Sequence, residues 1–79
     1  MIKPQIVNKL KSINELQLLT FLELEQGEWV HNKYSRQFVA EFLLMAEITL
    51  KKGLRSLLNK GFINKIAKGV YTINKDIIQ

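Results

Sequence analysis

A chain of 79 residues with a net charge of +5, 47% hydrophobic residues and no cysteine makes one domain with a small core. It excludes a disulfide framework and a thiolate metal site. Its apolar runs fall far short of the about 20 residues of a membrane-spanning helix, and the opening MIKPQIVNKLK holds no signal-peptide core, so a cytoplasmic protein without a membrane partner is expected.

The charge is unevenly placed. In residues 1–34, Lys3, Lys9, Lys11 and Lys33 balance Glu15, Glu23, Glu25 and Glu28. In residues 35–79, Arg36, Lys51, Lys52, Arg55, Lys60, Lys65, Lys68 and Lys75 face only Glu41, Glu47 and Asp76, so this half carries the whole +5. Such asymmetry is expected of a face turned toward a polyanion. A solvated lysine-rich surface gives the same composition.

Residues 1–11 read as an N-terminal arm or short helix over 4–10. Pro4 suits a first helical position, and Ile2, Ile6, Val7 and Leu10 recur at helical spacing. The arm either docks on a second protomer or lies on its own domain. Ser12-Ile13-Asn14-Glu15 is a capping box that opens a helix running to about Gln26, with Gly27 as its stop. Its apolar residues Ile13, Leu16, Leu18, Leu19, Phe21, Leu22 and Leu24 spread round most of the cylinder. Such a helix needs cover on several sides, either from a second copy in a homodimer or from the chain's own elements wrapped around it.

Residues 28–33 read as a short strand centred on Trp29 and Val30, able to pair with a later hairpin. His31, the single histidine, has no partner residue for metal or base chemistry and is expected at the surface or a sheet edge. Ser35 caps a helix over 36–44, whose buried face is Val39, Ala40, Leu43 and Met45, with Ala40 allowing a close crossing. The next helix covers 47–60 and ends at Gly61. At about 100° per residue, Leu50, Leu54, Leu57 and Leu58 share one arc; Ile48, Lys52, Arg55 and Asn59 lie opposite, flanked by Thr49 and Ser56, with Lys51 on the border. Gly53 inside this helix costs roughly 1 kcal/mol against alanine, which close helix packing would explain. Residues 62–66 and 70–74 read as strands joined by a turn near 66–69, where Gly69 allows positive φ and Lys65 and Lys68 stand at or near the tip. Ile77 and Ile78 are expected to fold back on the body. The fold class is α+β, mainly α: three main helices and a small antiparallel sheet.

The pattern Val39-Ala40, Leu43, Met45, then Leu50, Leu54, Leu57 and Gly61-Phe62-Ile63 resembles a bacterial winged helix-turn-helix domain. More narrowly, Lys68-Gly69-Val70-Tyr71-Thr72-Ile73-Asn74 before Asp76-Ile77-Ile78 looks like the wing ending of RepL-type plasmid replication proteins, with Lys75 where that family commonly has proline. The resemblance covers residues 12–78. It implies a helix-turn-helix over 35–61, a wing over 62–74 and a role in plasmid- or phage-type replication or in transcription regulation. Two positions depart from the pattern. Leu44 stands in the turn where glycine is common, and Ala46 stands where serine or threonine caps the recognition helix, so a tighter or more helical turn is expected.

Double-stranded DNA is the partner these residues suit, with a homodimer as the assembly. A major groove admits one helix, where Arg55 and Lys52 can pair with guanine, Asn59 can read adenine or hold a phosphate, and Ile48 can touch a thymine methyl. Thr49, Ser56 and Lys51 suit phosphates, and Lys65 and Lys68 would bring the hairpin to a backbone or minor groove. The alternative is a winged-helix module that binds protein and not DNA, favoured by the apolar excess of residues 12–26. The sequence contains no histidine–carboxylate set, phosphate-cradling glycine loop or nucleophile motif, so no catalytic residue, cofactor, metal or small-molecule ligand is expected.

Overall fold

In a computed structural model describing residues 2–10, 12–30 and 33–78, the long helices end where their free backbone groups find partners, and two of the three also begin on a capping side chain. α1 (Pro4–Val7) starts at proline, α2 (Ile13–Leu24) opens on the Ser12/Glu15 capping box, and Ser35 Oγ accepts the Phe38 N–H at 3.1 Å to open α3 (Arg36–Phe42). α4 (Glu47–Lys60) opens at Ala46 without a side-chain cap. All three long helices close with the same pair of bonds: Gly27 and Gln26 donate to Leu22 and Glu23, Met45 and Leu44 to Ala40 and Glu41, and Phe62 and Gly61 to Leu57 and Leu58. This closure needs one residue in the left-handed region, supplied by Gln26 (φ +61°), Leu44 (φ +58°) and Gly61 (φ +77°).

These ends correct several expected boundaries. α1 stops at Val7 and does not reach residue 10, α2 stops at Leu24 because Gln26 itself turns left-handed, and α3 stops at Phe42. In the turn after α3, Leu44 takes the left-handed conformation that glycine would supply. The expected strand from residue 62 begins one residue later, since Phe62 N–H closes α4 and its carbonyl accepts from Asn74 N–H at 2.9 Å.

The sheet is antiparallel, in the order β1 (Glu28–Val30), β3 (Val70–Ile73), β2 (Ile63–Ala67). Trp29 and Lys65 both pair with Tyr71, and a register shift between Lys65 and Ala67 leaves Ile66 unpaired. β1 thus joins the hairpin, as the sequence implies; His31 lies outside the described residues.

The buried side chains form one cluster in which α2 and α4 cross and the sheet covers one side. Leu50, Leu54 and Leu57 are buried together with Leu18, Leu19, Leu22 and Trp29, whereas Leu58 is only half-buried. A Cβ on Gly53 would stand 2.6 Å from Leu18 Cδ1, so the close helix packing expected from Gly53 is present. Lys60, the last residue of α4, donates to Glu15 Oε1 and to the Lys9 carbonyl, each at 3.0 Å, and Glu15 is buried. Residues 2–10 lie on the chain's own body: Ile2 and Ile6 are buried, Ile2 pairs with Ile78, and Lys3 N–H donates to the Ile77 carbonyl at 2.9 Å. The tail therefore folds back through Ile77 and Ile78. Among the described residues no helix is long and apolar enough to cross a membrane.

Replacing Gly53 by alanine sets a helix-propensity gain of roughly 1 kcal/mol against an overpacking cost of about 1–3 kcal/mol. Leu18 is fully buried and has little room to move, so Gly53→Ala is expected to destabilise by about 1 kcal/mol, a melting shift of about 4–8 °C for a domain this small. In a Leu18→Val background, which removes the contacted methyl, the penalty should vanish. Thermal melts of the four proteins measure both effects, and a single variant more stable than wild type contradicts the crossing.

Candidate nucleic-acid interface

Burying Leu50, Gly53, Leu54 and Leu57 turns the opposite side of α4 outward. Ile48, Lys51, Lys52, Arg55 and Asn59 are exposed, and Thr49 and Ser56 are half-buried on one flank. The hairpin lies along the other flank. Between them runs an open groove of about 280 Å³ whose rim carries Arg36, Lys51, Arg55, Asn59 and Lys65 and whose floor includes Leu54, Leu58 and Tyr71.

The groove sorts the residues that the sequence singles out. Lys51, Arg55, Asn59 and Lys65 are brought together. Ile48, Lys52, Thr49 and Ser56 lie on α4 outside it, and Lys68 is exposed at the hairpin tip beside Gly69 (φ +75°). Lys65 is not at the tip: it sits in β2 opposite Tyr71, its Nζ 6.0 Å from the centre of that ring. This aims its charge across the groove and gives it a modest cation–π contact. Arg36 was not singled out by sequence. It is the first residue of α3, and only the packing of α3 against α4 carries it to the groove. A cation one residue after an N-cap gives no signal of its own.

Four cations and no carboxylate line this groove. Among the described residues, Arg36, Lys51, Lys52, Arg55, Lys65 and Lys68 form no ion pair; the two pairs found are Lys33–Glu25 and Lys60–Glu15, both elsewhere. Like charges gathered along one groove repel one another, and an anion laid along it would relieve that repulsion. No group of three or more side chains able to hold a metal occurs among the described residues.

The groove is held by contacts behind it. Asn74 Nδ2 donates to the Gly61 carbonyl at 3.1 Å and its Oδ1 accepts from Asp76 N–H at 3.0 Å, fixing the base of the hairpin to the end of α4. Gln17 Nε2 donates to the Leu43 carbonyl at 3.3 Å, fixing the turn that precedes α4. Against this background the chain matches no family model, no curated protein and no solved structure.

The turn itself holds two unfavourable residues. Leu44 carries a left-handed backbone with its side chain 92% exposed, a conformation that costs a non-glycine residue roughly 1–2 kcal/mol. Ala46 leaves the first turn of α4 uncapped. Leu44→Gly is expected to stabilise by about 1 kcal/mol after the extra freedom of glycine in the unfolded chain is deducted, and Ala46→Ser by about 1 kcal/mol. Urea denaturation tests both; a destabilised Leu44→Gly would mean that the leucine side chain makes a contact worth more than the strain.

Proposed function

We propose that this protein binds double-stranded DNA sequence-specifically as a winged helix-turn-helix, with α3 and α4 as the helix-turn-helix, α4 as the recognition helix and the β2–β3 hairpin as the wing. The observation that carries this reading is the groove between α4 and the hairpin, rimmed by Arg36, Lys51, Arg55 and Lys65 with no carboxylate among its lining residues. The helix order and the hairpin after α4 are compatible with such a domain, and the resemblance of residues 68–78 to RepL-type proteins favours plasmid- or phage-type replication over other settings, with transcription regulation as the second. The protein would work in the cytoplasm as a homodimer, without cofactor or catalysis. The second reading is an interaction module that binds protein and not DNA. Its support is the exposure of Ile13, Leu24, Phe38 and Phe42.

On this reading the basic residues divide into two classes. Arg55 and Lys52 project from α4 away from the core, and at least one reads base edges. Its replacement by alanine is expected to cost about 1–3 kcal/mol on a site selected from random duplex and less on unrelated sequence. Arg36, Lys65 and Lys68 neutralise phosphates, so removing any one weakens binding to all sequences by similar factors and flattens the salt dependence by roughly one unit of slope. Fluorescence anisotropy over a salt series, with one selected and one random duplex, separates the classes. Absence of duplex binding by wild type at about 50 mM salt, where phosphate contacts are strong, overturns the DNA reading in favour of the second.

A further inference from the structure

We propose that the exposed apolar face formed by α2 and α3 is the contact between two copies of this chain, related by a two-fold axis near the middle of α2. The proposal gives a surface to the homodimer of the preceding reading, and it stands whether or not DNA is the ligand.

α2 is apolar nearly all round, and its own domain covers only part of it. Leu18, Leu19, Phe21 and Leu22 are buried, but Ile13 and Leu24 remain 67% and 72% exposed. Ile13, Leu16, Thr20 and Leu24 lie three or four residues apart and so share one side of the helix. With Gln17 and Phe42 they line an open groove of about 250 Å³ between α2 and α3, and no charged residue lines it. A second groove of about 620 Å³, between α1 and α2, shares Leu16 and Thr20 with the first. The Leu16–Thr20 ridge therefore has a groove on each side.

The α3 edge of this face is a ladder of rings. Phe42 stacks on Phe38 (centroids 6.4 Å apart, planes 6° apart) and Phe38 on Tyr34 (5.3 Å, 13°). Phe42 is 63% exposed and Phe38 is half exposed, so two large rings are already ordered by one another yet uncovered. Rigid aromatic groups lose little freedom on contact, which makes them effective anchors.

Two arguments select a second copy as the occupant. The first is area. Ile13, Leu24, Phe38 and Phe42 are half or more exposed; at roughly 200 Å² for a fully exposed large apolar side chain these four alone present about 500 Å². That is at the upper end of the roughly 300–600 Å² of the largest apolar patch on a typical monomer and more than half of the about 800 Å² per partner of a stable interface. The second is shape and charge. A two-fold axis passing between the Leu16–Thr20 ridge and the α2–α3 groove seats the ridge of each copy in the groove of the other, and that groove has no charge that would call for an oppositely charged partner. This groove shares no lining residue with the basic one, so pairing leaves Arg36, Lys51, Arg55 and Lys65 uncovered on both copies.

Sedimentation velocity without DNA tests the surface. Wild type is expected to be a dimer at micromolar concentration. Phe42→Asp and Leu24→Lys, both at exposed positions, are each expected to weaken association at least tenfold with helical circular dichroism and melting temperature of the monomer retained. Because the chain has no cysteine, a second measurement does not depend on those variants. Thr20→Cys, on the ridge between both grooves, should form a disulfide-linked dimer on oxidation, whereas Lys52→Cys on the far side of α4 should not. A wild type that stays monomeric, a dimer indifferent to both substitutions, or cross-linking at Lys52→Cys and not at Thr20→Cys overturns the proposal. A monomer that still binds duplex overturns this surface alone; a dimer that binds no duplex overturns the DNA reading alone.

Discussion

The close crossing of α2 and α4 at Gly53 and Leu18 sets the position of everything else. With Leu18 Cδ1 only 2.6 Å from where a Cβ on residue 53 would stand, α4 lies closer to α2 than a larger residue there would allow, and Leu50, Leu54 and Leu57 share the cluster with Leu19 and Leu22. The far end of the same crossing is pinned by a charge. Lys60 meets the buried Glu15 and also the Lys9 carbonyl, so one ammonium group ties the arm, α2 and α4 together. Such a pair contributes little relative to an apolar replacement; its effect here is to fix where the end of α4 lies against α2.

From that crossing the rest follows by exclusion. Once one side of α4 is buried, its cations have only one direction to take. Ala40 lets α3 pack against α4, and this packing brings Arg36 to the groove. The sheet closes the opposite side of the cluster through Trp29, whose indole N–H donates to the Tyr34 carbonyl at 2.8 Å. That bond also anchors Tyr34, the first ring of the exposed aromatic ladder. A small core thus positions two separate surfaces, one basic and one apolar, and each is uncovered because the residues that would cover it are committed to the core.

Much of this was legible in the sequence where a strong local signal existed. α4 has its expected bounds because a leucine stripe, a cationic stripe and Gly61 agree with one another. The Ser12 and Ser35 caps were legible because capping depends on residues three apart. The burial of α2 was not: leucines on nearly every side leave periodicity nothing to select, and only the positions of α4 and the sheet decide that Leu18 and Leu22 are inside and Leu24 outside. The position of Leu44 was legible as one where glycine is common, but its conformation was not, because leucine has no preference for positive φ; the bond from Met45 N–H to the Ala40 carbonyl imposes it. Lys65 lies inside β2, as the expected strand has it, but that strand runs on to Ala67 and leaves only Lys68 and Gly69 at the tip. Arg36 and Lys60 depend on partners distant in sequence, and no local pattern announces them.

The strand order has a consequence for chain entropy. β2 and β3 are joined by a tip of two residues and pair almost without closing a loop. β1 pairs with β3 across about 40 residues, between Val30 and Val70, and offers only three residues of ladder in return. Loop closure on that scale opposes pairing unless α3 and α4 have already folded the intervening chain back on itself. β1 is therefore the least self-sufficient strand of the sheet, and the burial of Trp29 against Tyr71 and Phe21 is what holds it beside β3.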